Sequence, residues 1–189
     1  MKKLVLLLGF IPFFSINAQD EVLYKLELPL NDEKKIEFFE IIEVPGKTQS
    51  QLFSTAKQWI AENYKSAKDV IQLDDKEAGK LIVKGFGQYH TEQNRAYVGY
   101  YFDLWHTIKI FCKEGKVRFA ITDLVEQVEI NSDFYLFDME SLIIDDLYKK
   151  NGKFNTSNAH KKEGVINYWN VNKINFKDYM LKSSKNDEW

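Results

Sequence analysis

Three histidines carry much of the chemical capacity of this sequence, and they lie far apart at His90, His106 and His160. A histidine metal site needs two or three ligands at helical or hairpin spacing. His90-Thr91-Glu92 has the spacing of an ordinary loop, and His106 shares the apolar parity of its strand, which favours a buried side chain. We therefore predict no metal site and no cofactor.

The serines and carboxylates give no sign of a catalytic site. The sequence has no Gly-x-Ser-x-Gly motif and no serine next to a histidine. Asp74-Asp75 lies in a predicted turn, and Asp145-Asp146 lies on a predicted helix. Adjacent side chains of a helix point about 100° apart, so the second pair is a poor acid–base couple. We interpret both pairs as solvated charges. Because triads are defined by geometry, a hydrolase with dispersed catalytic residues near His90 or His106 stays open as an alternative.

Charge and cysteine content narrow the function classes further. The chain has 26 Lys and Arg against 28 Asp and Glu. Removing residues 1–18, which contain two lysines and no acid, changes the net charge from −2 to −4. Because affinity for duplexes depends on neutralised phosphates, this balance argues against a nucleic-acid partner. The one cysteine, Cys112, excludes an intramolecular disulfide, and its apolar strand parity predicts a buried thiol.

The N-terminus has the pattern of a secretory signal peptide. Met1-Lys2-Lys3 is a basic start, Leu4 to Phe14 is an apolar run, and Ala18 supplies a small residue for cleavage. The run is shorter than the roughly 20 apolar residues that span a bilayer, and no later segment approaches that length. We expect an exported chain, periplasmic or extracellular, that is soluble after cleavage near Ala18.

Hydrophobic periodicity predicts the order β-α-β-β-β-β-α, in one antiparallel sheet with helices on one face. The clearest element is a helix after Thr48, where Gln51 can complete a capping box and apolar residues recur at helical spacing as far as Tyr64. The other predicted elements are strands at 36–44, 70–73, 81–86, 97–112 and from Val117 onward, and helices at 139–150 and 165–181, with polar connections at 88–95 and 155–164.

Two hairpins have a predictable register. Across the turn at Glu114-Gly115, Cys112 falls opposite Val117, so the apolar parities of both strands meet on one face. The remaining predicted pairs are Phe111 with Arg118, Lys109 with Ala120 and Thr107 with Thr122 on the opposite face, and Ile71 with Val83 and Leu73 with Leu81 in the earlier hairpin.

The parity opposite the apolar one predicts a candidate ligand-binding surface. Large aromatic and polar side chains share it on the long strand and its partner: Tyr101, Trp105, Thr107, Lys109, Phe111 and Arg118. Aromatic residues among polar neighbours are typical of binding surfaces. The alternative is that the segment from Val22 to Leu30, or the C-terminal segment, covers this face.

Several segments resemble a known domain family. They are the stretch from Ile42 to Thr48, Leu52-Phe53, Trp59-Ile60, and the stretch from Ser66 to Lys80. In these segments the sequence resembles a domain family of unknown function with a TATA-binding-protein-like (TBP-like) fold, found in exported proteins of Gram-negative bacteria. The resemblance implies one curved antiparallel sheet with helices on its convex side. It implies no activity and supplies no catalytic residue.

The sequence thus predicts four parts: a signal peptide at 1–18, an N-terminal arm or edge strand at 19–35, a TBP-like α+β domain including C-terminal helices at 36–182, and a frayed tail at 183–189. The expected function is that of an exported, non-enzymatic domain that binds a protein, a glycan or a small envelope molecule. Besides the hydrolase, a structural domain that forms a homodimer through its sheet face stays open.

Overall fold

The computed structural model describes residues 27–93, 98–144 and 156–183. The predicted signal peptide, the arm before residue 27 and the predicted tail from residue 184 lie outside the described residues. The elements are, in chain order, β1 (Glu37–Glu43), α1 (Gln49–Asn63), α2 (Ala67–Val70), β2 (Ile71–Asp75), β3 (Lys80–Gln93), β4 (Val98–Lys113), β5 (Lys116–Ile130), β6 (Asp133–Asp138), α3 (Met139–Ile143) and α4 (Thr156–Ser183).

The strands form one antiparallel sheet in the order β1-β5-β4-β3-β2, and β6 also pairs with β5. β1 pairs with residues 116–122 of β5 and β6 with residues 125–130, so the two short strands follow each other along one edge of β5. The predicted α+β class and antiparallel sheet are confirmed, but the predicted strand order lacked β6. Its run of four consecutive apolar residues has no period-two alternation, which is the signal by which strands are recognised.

The predicted register holds around the central hairpin and changes beyond it. Cys112 pairs with Val117 as predicted. Farther along, β5 uses one more residue than β4, and Asp123 there has a positive φ of 52°, which indicates a β-bulge. In the earlier hairpin a register shift pairs Leu73 with Ile82, so the predicted pairing of Leu73 with Leu81 is wrong.

Strand β3 is longer than the sequence pattern suggests. The predicted polar connection at 88–95 is wrong as far as residue 93, because β3 stays paired with β4 to that point. Tyr89 and Thr91 are buried on the helix side, whereas Gln88 and His90 are exposed on the other. Between Gln88 and Gln93 the one apolar side chain is Tyr89, so the segment lacks the apolar alternation by which strands are recognised.

The core lies between the sheet and the two long helices. Thr48 and Gln51 form the predicted capping box at the start of α1. One turn before the end of that helix, Trp59 meets the rings of Phe119 and Phe176 edge-on, at centroid distances of 5.7 and 5.1 Å. Its indole N–H donates to the Asn175 side-chain oxygen at 2.6 Å, so α1, α4 and β5 meet at one indole ring.

Helix α4 packs on the same side of the sheet as α1. The predicted loop at 155–164 is wrong from residue 156 onward, because the helix begins there. Gly164 permits its close approach to β3, since a Cβ at that position would lie 2.8 Å from the His90 carbonyl oxygen. The helix predicted at 139–150 is present as α3 to Ile143, and its part from residue 145 lies outside the described residues.

Within the described ranges, no helix has the length and apolar character that crossing a membrane requires.

Candidate functional site

We call the sheet surface opposite the helices the open face. The predicted site residues lie on this face of β4 and β5 but differ in exposure: Tyr101 is 72% and Trp105 is 43% exposed, Lys109, Phe111 and Arg118 are half-buried, and Thr107 is 6% exposed. Thr107 lies between Lys84 and Thr122 in the ladder, and these neighbours leave little of it for a ligand to contact.

The centre of the open face is an aromatic pair on β3 and β4. Phe86 lies directly across from Trp105, and their rings meet edge-on with centroids 4.9 Å apart. The Trp105 indole N–H donates to the Gln127 side-chain oxygen at 2.8 Å. One pair along, Gln88 donates to Asp103 at 2.8 Å. The indole is thus held in place by β3 and β5 while a large part of its surface stays exposed.

A second aromatic pair extends this surface toward the end of the same two strands. His90 lies across from Tyr101, and the two rings have centroids 5.1 Å apart. Both side chains are exposed. Among the described residues, His90 forms no hydrogen bond to a hydroxyl or a carboxylate, so nothing orients it as a catalytic base.

A cation–π cluster around Arg118 lies toward the β1 edge of the open face. The Arg118 guanidinium is 4.6 Å from the ring centroid of Phe39 and 5.8 Å from that of Phe111, and it forms an ion pair with Glu37. Partial burial acts to raise the pKa of Glu37, but hydrogen bonds from Arg118 and Asn31 outweigh it and the pKa is lowered. Arg118 is therefore fixed between two rings as part of a neutral pair.

Sequence reasoning missed the contribution of the neighbouring strands to the open face. Phe39 (54% exposed), Ile41 (52%), Phe86 (43%), Phe134 (64%) and Leu136 (62%) all lie on it. Phe39 and Ile41 have the parity opposite to the buried residues of β1, so their facing follows once β1 is known to pair with β5. No local signal reveals that pairing, because the two strands are more than 70 residues apart in the chain.

Neither expected cover lies over the open face within the described part of the chain. Helix α4 packs on the opposite side, where Val165 and Phe176 enter the core. At the β1 edge, Leu30 pairs with Ile36 and Asn31 donates to Glu37. These contacts hold Leu30 and Asn31 at the β1 edge, and Leu28 packs against the core, so these residues leave Tyr101 and Trp105 exposed.

His106 lies on the helix side, as its parity predicts, and is 2% exposed. Its Nε2 is 2.9 Å from the Tyr64 hydroxyl and its Nδ1 is 3.2 Å from the Tyr168 hydroxyl. Burial lowers the pKa of His106 to about 4, although a backbone hydrogen bond at Leu104 acts in the opposite direction. A neutral imidazole enclosed by two tyrosines has a structural role and no access to a substrate.

A buried charged network lies farther along the same side. The carboxylate of Glu126 is fully buried and accepts hydrogen bonds from the Tyr89 hydroxyl and the Lys161 ammonium, both at 2.6 Å. The ammonium is also 4.8 Å from the ring centroid of Phe102. Burial, followed by the nearby carboxylate, raises the pKa of Tyr89, which keeps its hydroxyl as a donor. These groups satisfy one another and leave no open reactive site.

Three further candidates for a reactive site are a metal cluster, the cysteine and a cavity, and within the described part of the chain none of them has the groups that catalysis requires. The described residues contain no cluster of three or more His, Cys, Asp and Glu side chains suited to a metal ion. Cys112 is buried as predicted, and burial raises the pKa of its thiol to about 12. A cavity of about 270 Å³ between the start of α1 and the end of α4 is lined by Lys47, hydroxyl and amide side chains, Leu52 and Met180, without a histidine or carboxylate.

Two solved structures share this fold. A DUF4468 family protein from Bacteroides ovatus is 18% identical with a TM-score of 0.65, over 81% of this chain and 90% of that one. A TBP-like protein from Parabacteroides distasonis is 14% identical with a TM-score of 0.62, over 81% of this chain and 96% of that one. At these identities the comparison concerns the fold alone. No curated protein matches the chain.

The family model for a domain of unknown function with a TBP-like fold, DUF4468, matches residues 38–127, from β1 into the bulged part of β5. This range contains the capped helix, both predicted hairpins and the centre of the open face. The match agrees with the resemblance found in the sequence and with the six-stranded antiparallel sheet. This chain therefore contains a DUF4468 domain with a TBP-like fold.

Proposed function

We propose that the chain is exported, is cleaved near Ala18, and acts as a non-enzymatic domain that binds another protein through its open face. The observation that carries the proposal is the exposure of Tyr101 and Trp105, at 72% and 43%, on a face that no described residue covers. Aromatic side chains and arginine are enriched in protein interfaces, and contiguous exposed apolar surface commonly marks such a site.

The shape of the open face favours a protein over a small molecule. Small-molecule sites are usually concave pockets. The aromatic residues of the open face instead lie side by side on neighbouring strands, and the cavity at the start of α1 is on another part of the domain. A protein partner can cover several such side chains at once, so that Trp105 and Tyr101 would act as central anchors.

The test uses photo-crosslinking in the cells that produce the protein. A photoreactive residue replaces Tyr101 on the open face, and a matched control replaces Val171, which is 68% exposed on α4. We expect a partner to crosslink from position 101 and not from position 171. The partner is then purified, and we expect Trp105→Ala to weaken its Kd at least about tenfold, as for an interface anchor. Val171→Ala should leave the Kd unchanged.

Three results would contradict the proposal. Equal crosslinking from both positions would remove the preference for the open face. A Kd unaffected by Trp105→Ala in a folded protein would remove Trp105 as an anchor. A crosslinked product between two copies of the chain, with a dimer in sedimentation velocity, would favour the structural homodimer instead.

A further inference from the structure

Strand β6 exposes apolar side chains on both of its faces. None of its six residues is buried. Phe134 and Leu136 are 64% and 62% exposed on the open face, and Tyr135 and Phe137 are 46% and 39% exposed on the other. An edge strand normally buries one face, since its side chains alternate. Proteins usually protect long apolar edges from further pairing, so an unprotected one calls for an occupant.

The hairpin geometry shows which backbone groups of β6 are available. Asn131 and Ser132 have positive φ values of 52° and 71°, which is the pattern of a two-residue type I′ turn. Ile130 and Asp133 flank that turn and form a pair, and in such a hairpin this pair exchanges both of its hydrogen bonds. Alternate residues of β6 therefore bond to β5, whereas Phe134, Leu136 and Asp138 direct their N–H and C=O groups outward.

The outward groups form a regular row that an added strand can use. In the described part of the chain, β5 is the strand that pairs with β6, and the outer edge of β6 has none. Peptides that add to a sheet edge gain affinity from such main-chain hydrogen bonds and specificity from alternate side chains. Here Phe134 and Leu136 would contact every second side chain of the added strand.

The charges on β6 indicate what kind of strand fits. Asp133 and Asp138 are at its two ends, and Glu129 lies across from Phe134, the residue after Asp133. Asp138 pairs weakly with Lys35, at 3.7 Å, while Asp133 and Glu129 have no ion pair among the described residues. A second copy of β6 contains no lysine or arginine, so it would leave these carboxylates without counter-charges. Opposite charges across a ladder are favourable, so a strand with basic ends fits better.

We propose that the outer edge of β6 accepts, as an added strand, an extended apolar segment of a partner protein that has Lys or Arg at both ends. The inference rests on the proposed function for the class of occupant, a protein. It adds the mode of binding and a second contact surface. Leu136 lies across from Gln127, the hydrogen-bond partner of Trp105, so the added strand would continue the open face past β6.

The probe is a blocked, fluorescently labelled peptide, Lys-Thr-Val-Thr-Val-Lys, titrated with the whole mature chain and followed by fluorescence anisotropy. One control peptide has N-methyl groups on alternate amides, which removes ladder hydrogen bonds. Another has glutamate in place of both lysines. The variant Leu136→Pro removes one outward N–H and leaves the pairing with β5 intact. Leu136→Lys keeps that N–H and adds a repelling charge, which guards against a folding defect caused by proline.

We expect saturable binding of the lysine peptide, lost with the N-methylated peptide and weakened at least about tenfold by Leu136→Pro, Leu136→Lys or glutamate ends. Val171→Ala, on the exposed side of α4, should leave peptide binding unchanged. The peptide titration measures the edge and the Kd of the crosslinked partner measures the open face, so the two failures are distinguishable. Absence of binding, or binding by both Leu136 variants as tight as binding by the unmodified chain, would overturn the inference. A dimer in sedimentation velocity that Leu136→Lys dissociates would assign the edge to a second copy instead.

Discussion

Gly85 lies directly across the β3–β4 ladder from His106, and its missing side chain leaves the space that the imidazole occupies. A Cβ at Gly85 would also lie 2.6 Å from the Tyr64 hydroxyl. The glycine is therefore required by the tyrosine–histidine–tyrosine cluster. Phe86, between Gly85 and Gly87, faces the opposite side of the sheet.

Gly85→Ala should destabilise the domain by about 1–3 kcal/mol, because the added methyl group overpacks the space beside His106. Urea unfolding at neutral pH measures the effect. Adding Tyr64→Phe should recover part of the loss, since it removes the hydroxyl nearest the new methyl group. Equal stability of Gly85→Ala and the unmodified protein would contradict the assigned close approach.

The stability of the domain should depend on pH through His106. Its pKa is about 4 in the folded state, below the roughly 6.5 of a free histidine. The unfolded chain therefore takes up a proton first, so the stability is fully present above pH ~6.5 and falls as the pH drops toward 4, by about 3 kcal/mol in all. Unfolding free energies measured at several pH values should show a flatter slope for His106→Asn. An unchanged slope would show that another group is responsible.

The buried network of Glu126 should show strong coupling. Lys161→Met alone leaves a buried carboxylate without its counter-charge and should cost about 3–5 kcal/mol. Combining it with Glu126→Gln should cost clearly less than the two single changes added together, since no buried charge is then left unpaired. A double-mutant cycle by chemical denaturation gives the coupling energy. Strict additivity would mean that the two groups do not act as a pair.

The open face should contribute little to stability if its role is binding. Tyr101→Ala and Trp105→Ala should each change the unfolding free energy by less than about 1 kcal/mol, as is usual for exposed positions. Trp59→Ala is the contrasting change, and it should cost about 3–5 kcal/mol because the indole is at the centre of the core. Thermal and urea unfolding provide both values. A large loss from Trp105→Ala would indicate a structural role instead.

The predicted signal peptide can be tested by determining where the exported protein begins. Expression of the whole chain in a Gram-negative host should yield a mature form that begins at Gln19, identified by intact mass and N-terminal sequencing. Replacing Leu7 with arginine should block export, because the apolar run of a signal peptide must be uninterrupted. Recovery of the uncleaved chain from the cytoplasm of the unmodified strain would show that the first 18 residues are not a leader.

The sequence alone determined those features that depend on local chemistry. The capping box at Thr48, the apolar stripe of α1 and the turn at Gly115 each have a signal within a few residues, so helix, hairpin and central register could be predicted. The same parity argument placed Trp105 and Tyr101 on the open face and His106 in the core. These predictions needed no knowledge of distant contacts, because alternation fixes the facing of a strand once one neighbour is known.

Only the tertiary structure decided the rest, because it depends on which distant segments meet. The pairing of β1 with β5 joins Phe39 and Ile41 to the open face, and the packing of α4 on the other side leaves that face uncovered within the described residues. β6 has no alternation to reveal it, since both its faces are apolar and exposed. Burial of Glu126 and its pairing with Lys161 likewise arise where α4 crosses β5, a contact that no local pattern encodes.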